Sequence, residues 1–286
     1  MNVHPLFDAR TWTLTYVVWD PNSLDAVVID PVLDFDPASG RVWTESVDLV
    51  LAVLRRHGLT LRLVLETHAH ADHLSGAHAL RVQLGAPVAI GAPITAVQKV
   101  FAPVFGLNLA TDGSQFERLV QDGETLEAGT LSIRAIATPG HTPACTSFVI
   151  GDAVFTGDAL FVPDSGVGRC DFPGGSADQL YTSVHERLYA LPPETRVFVG
   201  HDYQPQGRPV QYESTIGDSA AHNVHLAANT QREAFVAFRA GRDATLGAPR
   251  LLLPSLQVNV ESGRLPEPDA SGVRALRLPL KAAAGL

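Results

Sequence analysis

The chain has 286 residues, of which 45% are hydrophobic, and it can therefore bury a large core. Its 30 acidic and 21 basic side chains give a net charge of −9, which argues against nucleic acid or an anionic membrane as the main partner. The two cysteines are too few for a disulfide scaffold. No signal-peptide pattern opens the chain and no apolar run could span a bilayer, so we expect a cytoplasmic protein.

The first half of the chain alternates strands and helices. Two β-rich runs at 13–18 and 26–30, separated by an Asp-Pro-Asn-Ser turn signal, predict an opening hairpin. Apolar residues at helical spacing predict a helix over 46–57 that stops at Gly58. The elements predicted next are a buried strand at 61–65, a helix at 77–84, a strand at 87–90 and a helix at 94–104. This order indicates an α/β fold.

The second half contains strands that end in turns bearing His or Asp. The predicted elements are strands within 124–137, at 146–150 and at 153–156, an amphipathic helix at 176–191 and a strand at 196–199. After residue 204 the sequence turns polar and helical, and a short apolar segment follows at 251–260. We therefore divide the chain into a domain over 1–210 and a C-terminal helical extension with its tail over 211–286, packed on the same domain.

Three histidines and one aspartate fall within six positions just after the strand at 61–65. They are His68, His70, Asp72 and His73. Further residues of the same types each follow a predicted strand: His141, Asp158 and His201. Folding alone does not explain such a pattern, because buried polar groups need partners. Imidazole and carboxylate are common ligands of zinc and iron, so we predict a metal site where these strand ends converge.

The ligand types leave the number of metal ions open. In a dinuclear arrangement, one metal takes His68, His70 and His141, and a second takes Asp72, His73 and His201. Asp158 then bridges the two ions, and the pair activates a water for hydrolysis. In a mononuclear arrangement, two histidines and one carboxylate hold iron and leave positions open for oxygen and substrate.

At these residues the sequence closely resembles the metallo-β-lactamase superfamily and, within it, the persulfide dioxygenases. The shared stretches are residues 67–73, 138–143, 157–158 and 201–203. Two features are similar to the dioxygenase branch. Gly168-Arg169-Cys170-Asp171-Phe172 resembles that family's Gly-Arg-Thr-Asp-Phe, with Cys170 as the departure, and His201-Asp202-Tyr203 stands where glyoxalase II enzymes tend to have His-Glu-Tyr. The resemblance runs from about Thr13 to Tyr203.

The resemblance implies an αββα sandwich, the metallo-β-lactamase fold, with the site at the edge of the two sheets. It also implies one Fe(II) per chain, held by His68, His141 and Asp158. The remaining residues of the cluster would then orient ligands or water: His70, Asp72, His73 and His201. The implied reaction oxidises glutathione persulfide with dioxygen to sulfite and glutathione, and a homodimer is a family-level expectation.

Two other functions compete with this one. A zinc enzyme with one or two Zn(II) ions could hydrolyse a thioester in the manner of glyoxalase II, since every candidate ligand is present. A non-catalytic persulfide sensor would predict that ligands are lost, and none is.

Two residues near the cluster are candidate catalytic or substrate-binding groups. Arg169 could reach an anionic group of the substrate or pair with Asp171, and we slightly favour the pair. The hydroxyl of Tyr203 could donate to bound substrate, and the resemblance favours that role over core packing. Arg250 is a weaker substrate-binding candidate, because an arginine there is more often at the surface.

The cysteines and the remaining histidines are predicted to be structural. Cys170 invites a redox role, but a small buried residue is favoured, and Cys145 is predicted to pack in the core. His222 and His225 lie in the polar extension and are predicted to be surface residues.

Overall fold

A computed structural model describes residues 1–280, which form fifteen strands, seven α-helices, a π-helical segment and a 3₁₀ turn. The strands are β1 (Asn2–Asp8), β2 (Thr13–Trp19), β3 (Asp25–Ile29), β4 (Val32–Asp36), β5 (Arg41–Trp43), β6 (Thr60–Glu66), β7 (Leu74–Ser75), β8 (Val88–Gly91), β9 (Arg118–Val120), β10 (Thr125–Ala128), β11 (Leu131–Ala137), β12 (Thr146–Ile150), β13 (Ala153–Phe155), β14 (Arg196–Phe198) and β15 (Glu213–Thr215). The α-helices are α1 (Glu45–His57), α2 (Ala77–Leu84), α3 (Ile94–Phe105), α4 (Ala177–Thr182), α5 (Ile216–His222), α6 (Arg232–Asp243) and α7 (Leu252–Asn259). The π-helical segment (Ser183–Leu188) continues α4, and the 3₁₀ turn is Pro205–Gly207.

Two six-stranded sheets form the centre of the fold. The first has the order β1-β2-β3-β6-β8-β9 and the second β10-β11-β12-β13-β14-β15. Alternate residues of β2 explain the layering, because side chains point to opposite faces of a strand. Leu14 and Tyr16 belong to the core shared with the second sheet, whereas Val17 and Trp19 pack with α1, α2, α3 and α7. Helices α4, α5 and α6 pack against the second sheet. The predicted αββα sandwich is thus confirmed.

Most predicted elements are confirmed, and the differences have physical reasons. The opening hairpin is instead a three-stranded meander, because β1 precedes β2 and pairs with it antiparallel. Pro5 concealed β1, since proline lowers strand propensity and is tolerated on an edge strand such as this one. The helix predicted over 176–191 is α4 followed by the π-helical segment, and it ends at Leu188. Strands of two to five residues in β4, β5, β7 and β9 are too short for a visible alternation.

The chain beyond residue 203 returns to the sandwich. β15, which the sequence analysis did not predict, pairs antiparallel with β14 at the edge of the second sheet. Helix α6 contacts α4, and α7 contacts α3 and β7. The division of the chain at residue 210 stays a prediction. Among residues 1–280, no helix combines the length and apolar character needed to cross a membrane.

Candidate metal centre

Four loops at one edge of the two sheets carry the candidate ligands. Residues 68–73 follow β6 of the first sheet, and His141, Asp158 and His201 follow β11, β13 and β14 of the second. Beside Asp158, a glycine allows the first-sheet loop to lie close to the second sheet. Gly157 has φ +50°, and a Cβ there would lie 2.4 Å from Thr67 Oγ1. A side chain at 157 would therefore push the first-sheet loop away from the second sheet.

His68, His141 and Asp158 form a buried group whose candidate ligand atoms all lie within 4.8 Å of one another. The hydrogen bonds fix which ring nitrogens are available. Thr67 Oγ1 donates its one hydrogen to Asp30 (2.8 Å) and so accepts from His68 Nδ1–H (3.0 Å). His141 Nδ1–H donates to the carbonyl of Arg169 (2.6 Å), because a carbonyl only accepts. In the neutral form of each ring, the hydrogen is therefore on Nδ1 and Nε2 is the nitrogen available to a metal.

His70, Asp72 and His73 form a second group of the same kind, again within 4.8 Å. His70 Nε2 lies 3.1 Å from Asp30 Oδ1 and 3.4 Å from Glu66 Oε2, both buried carboxylates. A carboxylate on one ring nitrogen orients a histidine for metal binding through the other nitrogen. Hence His70 fits a ligand role through Nδ1 as well as the orienting role expected for it.

His201 and Asp158 connect the two groups. His201 Nε2 is 3.3 Å from Asp72 Oδ2 and 3.5 Å from Asp158 Oδ1, while Asp158 Oδ2 is 3.5 Å from His141 Nε2. His201 Nδ1–H donates to the carbonyl of Trp12 (3.1 Å), which again leaves Nε2 free. The structure therefore brings all seven candidate ligands together, with Asp158 between the two groups.

The polar atoms that converge here have no hydrogen-bond partner within the described chain. They are His68 Nε2, Asp72 Oδ2, His73 Nε2, Asp158 Oδ1 and His201 Nε2. A buried polar atom without a partner costs about 1–3 kcal/mol, so several at one point indicate a ligand for which they are arranged. Imidazole nitrogen and carboxylate oxygen are the donors that zinc and iron accept. These residues thus fit a metal ion.

Burial sets the protonation of the histidines in this cluster. Desolvation and the neighbouring histidines hold the pKa of His68 well below its usual range, and burial lowers the pKa of His73 to about 3. Both rings are therefore neutral at pH 7, which is the form that binds metal. Although burial also acts on His70, the carboxylates of Asp30 and Glu66 outweigh it and raise its pKa.

A cavity of about 320 Å³ opens over the cluster. Asp72, His141 and Asp158 line it, and so do Arg239 and Arg242 of α6. Among residues 1–280, the guanidinium of Arg242 forms no ion pair, whereas Arg239 is paired with Asp243. The cavity thus combines the metal cluster with an unpaired cation from the C-terminal extension.

The predicted substrate residues differ in where they lie. Tyr203 lines the cavity, and its ring stacks on His201 with centroids 5.6 Å apart. Arg169 also lines the cavity, and it forms the expected pair with Asp171 (2.5 Å) while donating to the carbonyl of Gly247 (2.8 Å). Arg250 is exposed and does not line the cavity, so the structure does not bring it together with the others.

Sequence reasoning missed the residues that the extension contributes. His225, predicted to be a surface residue, instead lines the cavity and is partly buried, with Nδ1 accepting from the backbone N–H of Val167 (3.4 Å). His222 is exposed, as predicted. No motif marks His225 or Arg242, because their positions depend on how the segment before α6 and α6 itself pack against the loop at 166–172.

The cysteines are buried, as predicted. Cys170 donates its backbone N–H to Asp243 Oδ2 (2.8 Å), which ties the loop after Asp158 to α6. Burial raises the pKa of Cys170 and of Cys145 to about 12, so both are thiols rather than reactive thiolates.

Two facing sheets flanked by helices, with His and Asp ligands at the strand ends, define a metal-dependent protein of the αββα class. A family model described as the metallo-β-lactamase superfamily matches residues 13–201. The chain belongs to this superfamily, and it is an enzyme of that group.

Relatives with different described activities match the chain. It is 50% identical to a probable metallo-hydrolase of Burkholderia pseudomallei, covering 99% of this chain and 100% of that one. It is 41% identical to glyoxylase B2 of Dictyostelium discoideum, covering 98% and 96%. It is 34% identical to the mitochondrial persulfide dioxygenase ETHE1 of Homo sapiens, covering 69% and 67%.

A solved structure is also similar. The crystal structure of ETHE1 from Myxococcus xanthus is 34% identical to this chain and superposes with a TM-score of 0.75, covering 92% of this chain and all of that one. The likeness therefore extends past residue 201 into part of the extension.

Proposed function

We propose that the protein is an iron-dependent persulfide dioxygenase that oxidises glutathione persulfide to sulfite and glutathione. The observation that carries the proposal is the buried group of His68, His141 and Asp158, with ligand atoms within 4.8 Å. Two histidines and one carboxylate leave positions open on iron for oxygen and a substrate. The 34% identity to a human persulfide dioxygenase supports the same assignment.

Fe(II) held by these three residues would supply the activation of dioxygen. In the overall reaction, both atoms of dioxygen and the oxygen of a water molecule end on the outer sulfur. The sulfur–sulfur bond breaks, and glutathione leaves as the thiol. The protein contributes orientation and a water-poor cavity rather than acid–base chemistry.

The cavity wall suits an anionic thiol. Glutathione carries carboxylates, and the guanidinium of Arg242, which forms no ion pair within residues 1–280, is the group best placed to bind one. Arg169 is a second cation on this wall, although Asp171 already neutralises part of its charge. The hydroxyl of Tyr203 makes no hydrogen bond within residues 1–280 and is assigned a role in orienting the substrate.

A zinc thioester hydrolase of glyoxalase II type is the second candidate. It is favoured by the second group, His70, Asp72 and His73, and by the position of Asp158 between both groups. Two metal ions held about 3.5–4 Å apart would activate a bridging water. The names of the Burkholderia and Dictyostelium relatives support this alternative.

Elemental analysis of anaerobically purified protein, paired with oxygen uptake on glutathione persulfide, separates the two candidates. About one iron per chain with oxygen consumption is the expected result. About two zinc ions per chain, no oxygen uptake and hydrolysis of S-lactoylglutathione would replace the dioxygenase with the hydrolase.

A further inference from the structure

Asn259, at the end of α7, is bonded to the loop that carries four of the candidate ligands. Its Nδ2 donates to the carbonyls of His70 and His73, both at 2.8 Å, and its Oδ1 accepts from the backbone N–H of Ser75 at 2.8 Å. The side-chain amide cannot be reversed, because carbonyls only accept and a backbone N–H only donates. One buried amide therefore fixes three backbone groups in and beside the metal loop.

Two carbonyls of the loop depend on this amide for their hydrogen bonds. Residues 67–73 lie in neither a helix nor a strand, so their carbonyls have no regular ladder partner. Within residues 1–280, Asn259 is the partner found for the carbonyls of His70 and His73. Since buried carbonyls need partners, removing the amide would let this part of the loop rearrange.

Helix α7 holds Asn259 on a rigid support. Its neighbours Val258 and Val260 are fully buried in the core between α7 and the first sheet. Gln98 of α3 donates to the carbonyl of Val260 (2.9 Å). Gly263 packs so closely that a Cβ would lie 2.7 Å from the carbonyl oxygen of Ser75. The amide is thus held in place by contacts within the protein.

We infer that Asn259 is a positioning residue of the metal centre. It touches neither metal nor substrate, and it acts by setting the backbone from which His70 and His73 project. Residue 259 lies outside the 13–201 match to the family model, so the extension takes part in building a centre whose ligands all come from the matched segment. The inference depends on metal binding and holds for either proposed reaction.

Gln257 offers a matched control on the same helix. It is equally buried, and its Nε2 also donates to two carbonyls, those of Leu253 (2.8 Å) and Arg277 (2.9 Å). Its Oε1 accepts from a backbone N–H, that of Arg277 (2.8 Å). Gln257 thus makes the same kind of contacts, but to Leu253 and Arg277 rather than to the metal loop.

The test compares Asn259→Asp with Gln257→Glu, each of which removes the amide hydrogens with little change of shape. Zinc affinity is measured on metal-free protein by competition with a chromophoric chelator. We expect Asn259→Asp to weaken zinc binding about 10- to 100-fold, the usual effect of removing a group that orients ligands. We expect Gln257→Glu to leave zinc affinity unchanged, although it loses the same number of hydrogen bonds.

A second pair of variants avoids the negative charge that Asp and Glu introduce. Asn259→Leu and Gln257→Leu carry no charge, and the same contrast in zinc affinity is expected. The absorption spectrum of bound Co(II) should change in the Asn259 variants alone. If an Asn259 variant folds only with metal, the zinc concentration at its folding midpoint also contains the cost of folding, and the Co(II) spectrum of the folded, metal-bound protein then decides. Wild-type zinc affinity and Co(II) spectrum in both Asn259 variants, or an equal loss in the Gln257 variants, would overturn the inference.

Discussion

The loops between residues 68 and 201 and the C-terminal extension from residue 211 contribute to the same site in different ways. The loops supply all seven candidate ligands, with buried atoms that lack hydrogen-bond partners within residues 1–280. Up to residue 280 the extension supplies none of these ligands, but it places Arg242 and His225 in the wall and bonds Asn259 to the loop. Because ligands must meet strict chemical requirements, they form a recognisable motif. Groups that shape the surroundings can come from any element that packs nearby.

The largest effect is expected from the loops. Substitution of His68, His141 or Asp158 by Ala should each abolish metal retention and reduce activity by several orders of magnitude. Each change removes a ligand of the proposed iron and leaves the other buried polar groups without a partner. Metal content by elemental analysis and turnover of glutathione persulfide measure the two effects. Retention of a full metal complement by any one variant would remove that residue from the ligand set.

His201→Ala tests whether the loops hold one metal ion or two. With a single iron held by His68, His141 and Asp158, this variant should keep its metal, since His201 then only orients neighbouring groups. In a dinuclear site it should lose one of two ions. A variant without any metal would show that the mononuclear assignment is wrong.

A smaller effect is expected from the cavity wall. Arg242→Gln should raise KM for glutathione persulfide about tenfold and leave kcat nearly unchanged, because a charge-assisted contact to a carboxylate is worth about 1.5 kcal/mol. Arg56→Gln, an exposed arginine of α1, is the matched control and should behave as wild type. Binding of glutathione itself gives a readout that does not depend on the reaction. Equal KM values in the two variants would place the substrate's anionic group elsewhere.

The sequence predicted the loops better than the extension, and the reason is physical. The spacing of His68, His70, Asp72 and His73 after a buried strand is visible because a metal site restricts residue type and order at once. The strands leading to His141 and Asp158 were equally clear, since their apolar runs end in glycine turns.

The remaining features depend on contacts between distant segments. Asp30 contacts His70 although the two are 40 positions apart, and no local sequence pattern predicts that pair. Arg250 and Arg242 look alike in the sequence, yet Arg242 lines the cavity and Arg250 does not, because α6 carries Arg242 to the cavity and Arg250 lies beyond the end of that helix. His222 and His225 likewise lie in one polar segment, yet His222 is exposed and His225 lines the cavity.

The smallest effect is expected at His225, and it tests whether the wall is as desolvated as the metal cluster. Burial first, and then the charges of Arg239 and Arg242, lower the pKa of His225 from 6.5 to about 4. The unfolded chain therefore binds more protons between those values, so this contribution to stability is complete above pH 6.5 and is lost as the pH falls to 4. Because the ring is partly exposed, we expect a contribution of about 1 kcal/mol. The free energy of unfolding of metal-free protein is measured in urea at pH 7 and at pH 4. Between these pH values His225→Gln should lose about 1 kcal/mol less than wild type. His222→Gln, an exposed control, should lose as much as wild type. Identical pH dependence in all three proteins would mean that His225 is solvated, and that the extension covers the cavity less closely than the loops enclose the metal centre.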